Sequence, residues 1–489
     1  LNSVRNPFVF ASDLKARVAT VKRMRDRVVR EVERRGPAQV VGGLRKILDV
    51  TAERARQRIR QVNDGIYRAI LFNDGVGTDS GLVRLPTTVI KEGDELVVIN
   101  QGVSPENWRG PQHATWHLMK ASLGVYLFTY FFRGLPPNIA LFDPITVLVE
   151  GPSVANATEE VAHGEGTTLS AMNVQNLHVI GSKMLFDSPH RLGVCAPFSR
   201  QVMINTHAGI NSYGYRVANF TGLQNAAGQG ARFDLDGEHG SGFFWASVTD
   251  AGEAEETDMR LPLVTLARRV DKDFHGFGRY RGGAPWVEIS AAPPAGCLLT
   301  SRGTCDRVSH SPGLFGGYAG PPAPRFIIRN ADALELLANN DPRLKLSQYE
   351  LAKEQPIPGE YIIEASYQHT QAFKAGDIFV YSVGGGGGYG DVLEREPALV
   401  MDDLRTNVIS HEVARSVYRV VYDAATLLPD LLATARERER AREERRERGK
   451  PFAEFIQGWL PQRLSEEKLK YYGHWPEPRL PSYSKPFWG

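Results

Sequence analysis

Residues 382 to 391 read SVGGGGGYGD, and this run of five glycines followed by Tyr-Gly-Asp is the most informative stretch of the chain. It comes directly after a strand-like segment, residues 377–381 (DIFVY). Glycine loses more conformational freedom on folding than any other residue, so five in a row are tolerated only where the backbone must approach something closely. The run predicts a close-packed turn or subunit contact. A phosphate cradle and a wall of a substrate channel are the alternatives.

Length and composition exclude several classes of protein. The 489 residues are enough for more than one structural unit, and a net charge of +2 gives no field that attracts nucleic acid or an anionic membrane. Three scattered cysteines are too few for a disulfide framework or a four-cysteine zinc site, which indicates a reducing, cytoplasmic location. The longest apolar stretch, residues 125–132, is too short to span a bilayer. Because the chain begins with Leu1 and not Met, we expect a processed chain or part of a longer protein.

Periodicity along the chain predicts an α+β fold with multi-layer mixed sheets, an N-terminal helical hairpin and C-terminal helices. The hairpin fills a first domain, residues 1–65. Its first helix is capped by Ser12 and ends at Gly36-Pro37, its second covers about residues 40–62, and both are expected to dock on the main body. Strands follow at residues 83–89 and 96–99, and a helix at about 113–132, in a body domain of residues 66–425.

The last predicted domain, residues 426–489, contains a charged helix and an aromatic, proline-rich tail. Residues 436–448 (RERERAREERRER) form a helix that is either solvated or a docking arm. One-turn pairs are expected for Glu437–Arg440, Glu439–Arg442 and Glu444–Arg448. The tail cannot make a core of its own, so we expect it to lie on another surface with its aromatic residues Trp475, Tyr483, Phe487 and Trp488.

Two histidines are candidates for a site because of their spacing. His113 and His117 lie four residues apart, which on a helix places both rings on one face at a spacing that suits a metal. A third ligand could come from His163 or His207. A polar role facing a substrate and a purely structural role are the alternatives.

Charged clusters give weaker signals. Arg279 and Arg281 in GRYRGG could clamp a carboxylate, carbonate or phosphate, or could pair with buried carboxylates of the protein. The DLDGEH stretch and the DKDFH stretch at residues 271–275 offer donors for a hard cation, although a polar turn explains both; the donors of the first are Asp234, Asp236, Glu238 and His239. No GxxxxGK[ST] phosphate loop and no GxSxG motif occur in the sequence.

Several segments in order resemble the hydantoinase B family. They are NSVRNP (2–7), SDLKA (12–16), GVSP to GP (102–111), PPN (136–138), GRYRGG (278–283) and KAGD (374–377) leading into residues 384–391. The resemblance covers most of residues 1–425. One segment departs from the family pattern, because residues 99–103 read INQGV where the family commonly has an acidic-aromatic-Gly-Thr run.

The resemblance implies that this chain is the B-type subunit of a multisubunit ATP-dependent ketone carboxylase of the acetophenone or acetone type. ATP would bind to a hydantoinase A-type partner, which passes an activated phosphorylated intermediate to this chain. The metal-bearing N-terminal region of the family has no counterpart here, so a Zn or Mn ion is expected in the complex but outside this chain. That region is then expected as a separate or cleaved chain.

The small-molecule partners implied by the resemblance are a ketone or a cyclic amide, with bicarbonate. A hydantoinase or 5-oxoprolinase type of cyclic amide hydrolase is the alternative, and a non-catalytic scaffold subunit is another. The aromatic stretch at residues 126–132 could line a pocket for an aromatic ketone, although packing in the core explains it equally well.

Overall fold

The structure, a computed structural model, describes residue 4 and residues 7–77, 79–199, 204–221, 226–242, 252–302, 307–322, 325–363, 369–459 and 465–473. Its α-helices are α1 (Pro7–Arg35), α2 (Pro37–Arg60), α3 (Trp116–Tyr126), α4 (Gly166–Leu185), α5 (Ala254–Arg260), α6 (Ala333–Ala338), α7 (Gln348–Glu354), α8 (Pro397–Arg405), α9 (His411–Ser416), α10 (Leu431–Arg448), α11 (Phe452–Trp459) and α12 (Glu466–Tyr472). Its strands are β1 (Gly65–Val76), β2 (Asp79–Glu92), β3 (Glu95–Asn100), β4 (Ile145–Val149), β5 (Ile204–Ile210), β6 (Arg216–Phe220), β7 (Val264–Val270), β8 (Trp286–Ala291), β9 (Cys297–Arg302), β10 (Phe326–Arg329), β11 (Glu360–Ile363), β12 (His369–Phe373) and β13 (Ile378–Ser382).

The strands form three sheets, and the expected α+β class with several sheets is confirmed. The first sheet has the order β1-β2-β3-β4, with β3 and β4 parallel and the other pairs antiparallel. The second has the order β11-β10-β13-β8-β7 and the third β12-β9-β5-β6. One apolar cluster joins the last two sheets, with Leu299 and Phe373 from the third and Phe379 and Tyr381 from the second.

Helix α4 is the central helix of the first half, because nearly all of its 20 residues are buried. It packs with the sheet β1-β2-β3-β4 and with α3 in one large apolar cluster. Small residues permit this close approach: a Cβ on Gly181 would lie 2.1 Å from the Tyr126 hydroxyl oxygen. Residues 126–132, which were considered for a ketone pocket, lie largely in the same core, where Tyr126, Phe131 and Phe132 are buried.

The predicted helical hairpin is present, but it docks only in part. Helix α1 begins at Pro7, so Ser12 lies inside the helix and is not its cap, and α1 buries none of its residues. Helix α2 buries Thr51, Ala55 and Ile59 against the body. The expectation that both helices dock on the body is therefore wrong for α1.

The C-terminal helix α10 is neither free nor an arm. It buries Thr434, Arg438 and Ala441 against the body, while its other faces are exposed. The pairs Glu437–Arg440 and Glu439–Arg442 form, whereas Glu444 pairs with Arg440 and Arg419 and not with Arg448. The aromatic residues of the tail lie outside the described residues. No helix in the described part of the chain is both long and apolar enough to cross a membrane.

The glycine run forms a buried junction of extended segments. Gly384 to Gly388 are all buried, and the N–H groups of Gly386, Gly387 and Gly388 donate to the carbonyls of Gly283, Pro197 and Tyr318. The carbonyls of all five glycines accept hydrogen bonds in turn. A Cβ on Gly386 would lie 2.0 Å from the Gln229 carbonyl oxygen, and one on Gly388 would lie 2.1 Å from that of Phe277. The run is thus a close-packed junction, and the amides of Gly386, Gly387 and Gly388 are turned to protein carbonyls rather than to a phosphate.

Candidate functional site

The parallel pair β3 and β4 ends at one edge of the first sheet. In register, Asn100 lies beside Val149 at the carboxyl ends of both strands. The connection from β3 passes through α3, whose N-cap Thr115 accepts from the Leu118 N–H. The carboxyl ends of parallel strands are a common position for ligand sites, because loops leave both strands at one edge. This edge of the sheet is therefore the first place to look for a site.

A cleft of about 380 Å³ lies at the β3–β4 edge, and polar and apolar side chains line it. A second cleft, of about 490 Å³, lies on the third sheet. The lining of the β3–β4 cleft is Ile99, Asn100, Gln101, Trp116, Val147, Leu148, Val149, Glu150 and Gly151. Pockets for small molecules are usually mostly apolar, with a few polar groups that fix orientation. The β3–β4 cleft has this composition.

The base of the cleft is tied to a buried network of amides and hydroxyls. The Asn100 side-chain N–H group donates to Thr87 Oγ1 at 2.9 Å and to Asn173 Oδ1 at 3.2 Å. Asn173 Nδ2 in turn donates to Ser122 Oγ at 3.1 Å. Because Asn100, Thr87 and Asn173 are all buried, these bonds are shielded from water and hold the end of β3 in place.

Two polar side chains, Gln101 and Glu150, line the cleft where the loops leave the strands. Glu150 accepts from the Gly102 N–H at 2.5 Å, and Gly102 has a φ of 74°, which favours glycine at this turn. Gln101 Oε1 is buried, and no described residue donates to it. The Gln101 amide can therefore bind a ligand with a matching polar group.

An aromatic wall closes one side. The ring of Trp116 meets the exposed His117 edge-on at 4.6 Å between ring centroids, and the Lys120 ammonium lies 5.5 Å from the Trp116 ring centroid. Together with Gln101 and Glu150, this arrangement can hold a small molecule that has an apolar part and a polar group. His117 is exposed next to Trp116 and does not line the cleft.

His113 does not share a helix face with His117, because α3 begins only at Trp116. His113 is buried in the preceding loop, where its Nδ1 bonds to the Ala162 carbonyl at 2.9 Å and its Nε2 accepts from the Asn107 N–H at 3.0 Å. Burial lowers the pKa of His113, which keeps the ring neutral. Both ring nitrogens are thus used within the protein. The helical pair of metal ligands that the spacing allowed is not formed, and His113 has the structural role that was its alternative.

The two arginines of GRYRGG take different environments. Arg281 is buried, and its Nε donates to Asp403 at 2.9 Å, while its backbone N–H donates to Asp236 at 2.8 Å. Arg395 bonds both of these carboxylates at 2.7 Å. Burial opposes ionisation of Asp236, but the two guanidiniums outweigh it and hold its pKa below the usual value.

This four-residue network of Arg281, Arg395, Asp236 and Asp403 balances two cations with two anions in the interior, so Arg281 is already engaged. Arg279 is exposed, 3.9 Å from Glu394, and lies apart from the β3–β4 cleft. The structure does not unite the arginine pair with the histidine pair. A catalytic role for any of the four residues stays a prediction.

In the two cation loops considered from the sequence, several carboxylates are engaged in internal bonds, whereas His239 Nε2 and both ring nitrogens of His275 are buried without a partner among the described residues. In DLDGEH, Asp236 belongs to the arginine network and His239 Nδ1 accepts from the Ala284 N–H at 2.9 Å. In DKDFH, Asp271 accepts from Arg269 at 2.8 Å, and Asp273 accepts from the Ser410 N–H at 2.8 Å. Both stretches are polar turns.

A metal ion is not assigned to this part of the protein. Across the described ranges, no three His, Cys, Asp or Glu side chains converge as metal ligands would. His163 is exposed beside His113, and His207 is buried on β5, so neither completes a ligand set with His117. The described donors do not fit the Zn or Mn ion that the resemblance implies for the complex.

Trp116, Gln101 and Glu150 were missed as site residues in the sequence. Residues 99–103 were noticed, but only as a departure from a family pattern. Val149 and Glu150 reach the site only because β4 pairs in parallel with β3 across 49 residues of sequence. Alternation within each strand could not reveal that pairing.

Comparison with known proteins agrees with the resemblance. The pattern of the hydantoinase B/oxoprolinase family matches residues 1–392. The acetophenone carboxylase delta subunit of Aromatoleum aromaticum is 32% identical over 483 residues, which are 98% of this chain and 70% of that subunit.

Two solved structures share the fold. A nucleotide-free structure of acetone carboxylase matches with a TM-score of 0.82 at 21% identity, over 94% of this chain and 63% of that chain. The ATP-dependent caprolactamase of Pseudomonas jessenii matches with a TM-score of 0.71 at 20% identity, over 89% of this chain and 70% of that chain. This chain therefore spans about two thirds of the length of these proteins.

Proposed function

The chain belongs to the hydantoinase B/oxoprolinase family, and from this premise we propose that it is the B-type subunit of a multisubunit ATP-dependent carboxylase that acts on a ketone. The observation that carries the proposal is the 32% identity to an acetophenone carboxylase subunit over 98% of this chain. The likeness to acetone carboxylase, at a TM-score of 0.82, supports the same reaction class.

In this proposal ATP is used on a hydantoinase A-type partner, and a phosphorylated intermediate then reaches this chain. A carboxyphosphate or an enol phosphate hydrolyses in water, so transfer through a closed interior protects it. Such a transfer requires permanent interfaces between the subunits. The metal-bearing N-terminal part of the B-type subunit would be supplied by a separate or cleaved chain.

We assign the ketone to the β3–β4 cleft. Trp116 would pack against its apolar group, Gln101 Nε2 would donate to its carbonyl oxygen, and His117, next to Trp116, would handle a proton of the carbon that is carboxylated. These roles rest on the position of the side chains in the cleft.

A cyclic amide hydrolase is the second candidate. The match to the P. jessenii caprolactamase supports it, with a TM-score of 0.71 that is lower than that of acetone carboxylase. A lactam also presents one carbonyl and an apolar ring, so the composition of the cleft fits both substrates. A non-catalytic scaffold subunit is the third candidate.

The test uses the complex as it occurs. The tagged chain is purified from its native cells, the accompanying chains are identified by mass spectrometry, and the intact complex is assayed for ATP-dependent incorporation of labelled bicarbonate into acetophenone or acetone. We expect an A-type ATPase chain in stoichiometric amount and labelled product. Hydrolysis of caprolactam or 5-oxoproline without carboxylation would favour the second candidate. Turnover by the lone chain would contradict the proposal.

A further inference from the structure

Helix α1 stands apart from the rest of the protein. It has 29 residues, about 43 Å of helix, and none of them is buried. Leu14, Val18, Val21 and Val28 keep between 43% and 65% of their surface exposed. A soluble helix normally turns such side chains towards a core. In α1 this apolar surface has no counterpart in the described part of the chain.

The apolar positions of α1 follow a coiled-coil register. Steps of three and four residues alternate from residue 11 to residue 32, with Ala11, Val18, Arg25 and Val32 at a positions and Leu14, Val21 and Val28 at d positions. Such a seam faces one partner helix along its whole length, and branched Val at a favours two strands. We call these seven residues the α1 seam.

Helix α2 does not cover the α1 seam. It turns Thr51, Ala55 and Ile59 towards the body, and its first half leaves its own apolar residues Val41, Leu44 and Ile47 about half exposed. The two helices meet at Gly36, whose φ of 83° reverses the chain. No residue in the described ranges covers the seam.

Charge identifies the kind of partner. Helix α1 carries nine Lys or Arg and four Asp or Glu residues. Beside the seam, the e positions are Lys15, Lys22 and Val29 and the g positions Arg17, Met24 and Glu31, so three of the four charges are basic, and Arg25 interrupts the seam itself. In a pair of identical helices these cations would face one another, in parallel or antiparallel orientation, which disfavours self-association. A helix with acidic residues beside its own seam removes that repulsion.

A lipid surface fits α1 less well. Helices that lie in a membrane interface carry a broad apolar face with bulky Leu, Phe or Trp side chains. Although Phe8 and Phe10 are exposed at the start of α1, the seam itself is rich in Val, and Arg25, which pairs with Asp26 at 2.8 Å, lies in its middle.

We propose that the α1 seam is the docking surface for one amphipathic helix of a different protein chain. That helix is apolar at its own a and d positions, acidic at e and g, and places a carboxylate opposite Arg25. The proposal does not depend on which reaction the family member performs.

The test measures binding of a designed probe to the full chain. The probe is a fluorescent peptide of about four heptads with Val at a, Leu at d, Glu at e and g, and one Asp at the a position opposite Arg25. Fluorescence anisotropy should show saturable binding in a one-to-one ratio. Val21→Asp with Val28→Asp should weaken binding at least about tenfold, because two charges enter the seam. Ala16→Asp with Ala19→Asp, on the outward face of α1, is the matched control and should bind like the wild type.

A charge exchange tests the role of Arg25. Arg25→Glu should weaken binding of the Asp probe, and a probe with Lys at that position should restore it. Equal binding of both probes by both proteins would overturn the proposal, as would no binding of the acidic probe. Sedimentation and flotation test the other occupants. If the wild-type chain self-associates and the double variant Val21→Asp with Val28→Asp does not, the seam binds a second copy of the chain. If the wild-type chain binds vesicles with about 30% phosphatidylserine and the same double variant does not, the seam binds a lipid surface.

Discussion

At the scale of single residues, Gly386 and Gly43 differ in whether the protein has room for a side chain. Gly386 lies in the buried junction, where a Cβ would meet the Gln229 carbonyl oxygen at 2.0 Å and the Gly230 nitrogen at 2.6 Å. Gly43 lies within α2, and a Cβ there would meet no atom within 4 Å. The same chemical change therefore has opposite consequences at the two positions.

Gly386→Ala should destabilise the protein by about 3 kcal/mol or more, because backbone on neighbouring segments would have to move. Gly43→Ala should stabilise it by about 0.5–1 kcal/mol, because alanine loses less conformational freedom in a helix. Urea unfolding of both variants measures the difference. If Gly386→Ala unfolds at the wild-type midpoint, the junction is looser than described.

Trp116 tests the assignment of the cleft. In the intact complex, Trp116→Ala should raise KM for the ketone about tenfold and change kcat little, because it removes apolar contact that is equal in the ground and transition states. Trp108→Ala is the control, since Trp108 is 75% exposed and does not line the cleft. Equal kinetics for the two variants would move the substrate site elsewhere.

Individual residues also show how far the sequence could lead. The glycine run predicts close packing because only glycine tolerates it, and this prediction is independent of tertiary contacts. The environment of Arg281 is different: its partners Asp236 and Asp403 lie 45 and 122 residues away along the chain. Sequence could name paired carboxylates as an alternative to substrate binding, but it could not identify them.

At the scale of elements, α10 contacts the body at several residues, and Arg438 makes the buried contact with backbone carbonyls. Arg438 is buried and donates to the carbonyls of Tyr418 at 3.1 Å and of Arg395 at 2.8 Å. Arg442, one turn further on, makes an exposed pair with Glu439. The sequence RERERAREERRER does not distinguish the two arginines, because its charges are alike on all sides.

Arg438→Met should lower the free energy of unfolding by about 2–3 kcal/mol, because it leaves two buried carbonyls without their charged donor. The amides of α10 should then exchange hydrogen faster than in the wild type. Arg442→Met should leave both quantities nearly unchanged, since exposed ion pairs contribute little. Hydrogen exchange followed by mass spectrometry measures both variants. Similar exchange of α10 in the two would show that Arg438 is not its anchor.

Element boundaries were predictable where local chemistry sets them. The hairpin turn at Gly36-Pro37 and the strands around residues 83–89 and 96–99 occur as expected, because glycine, proline and alternation act locally. The start of α3 was placed three residues too early, because Thr115 and not a residue before His113 is the N-cap. Docking of α1 was wrong for another reason: an apolar stripe shows that a helix has a partner, but not whether that partner is in the same chain.

At the scale of the whole molecule, buried histidines make stability depend on pH. Burial lowers the pKa of His178, of His207 and of His239 to about 4 in each case. Unfolded histidine has a pKa of about 6.5. Their contribution is therefore complete above about pH 6.5 and is lost as the pH falls towards 4, because the unfolded chain then binds protons that the folded chain does not.

The free energy of unfolding should fall between about pH 6.5 and pH 4, by about 1.4 kcal/mol per pH unit for each such histidine. His207→Gln should reduce that slope by the share of one proton, about 1.4 kcal/mol per pH unit. His163→Gln, at an exposed position, should leave the slope unchanged. Urea unfolding at several pH values gives the slopes. An unchanged slope in His207→Gln would mean that His207 is accessible to protons in the folded protein.

The glycine junction also restricts where this polypeptide can be divided. Its carbonyls and amides come from segments near residues 197, 228–237, 276–283, 311–320 and 384–390, so a break anywhere between them leaves both pieces with backbone groups that only the other piece can satisfy. If the gene for this protein were split near the hairpin at Gly36, it would encode two pieces. The larger piece would keep every segment of the junction. Split inside residues 197–390, the gene would give two halves that must fold upon each other or not at all.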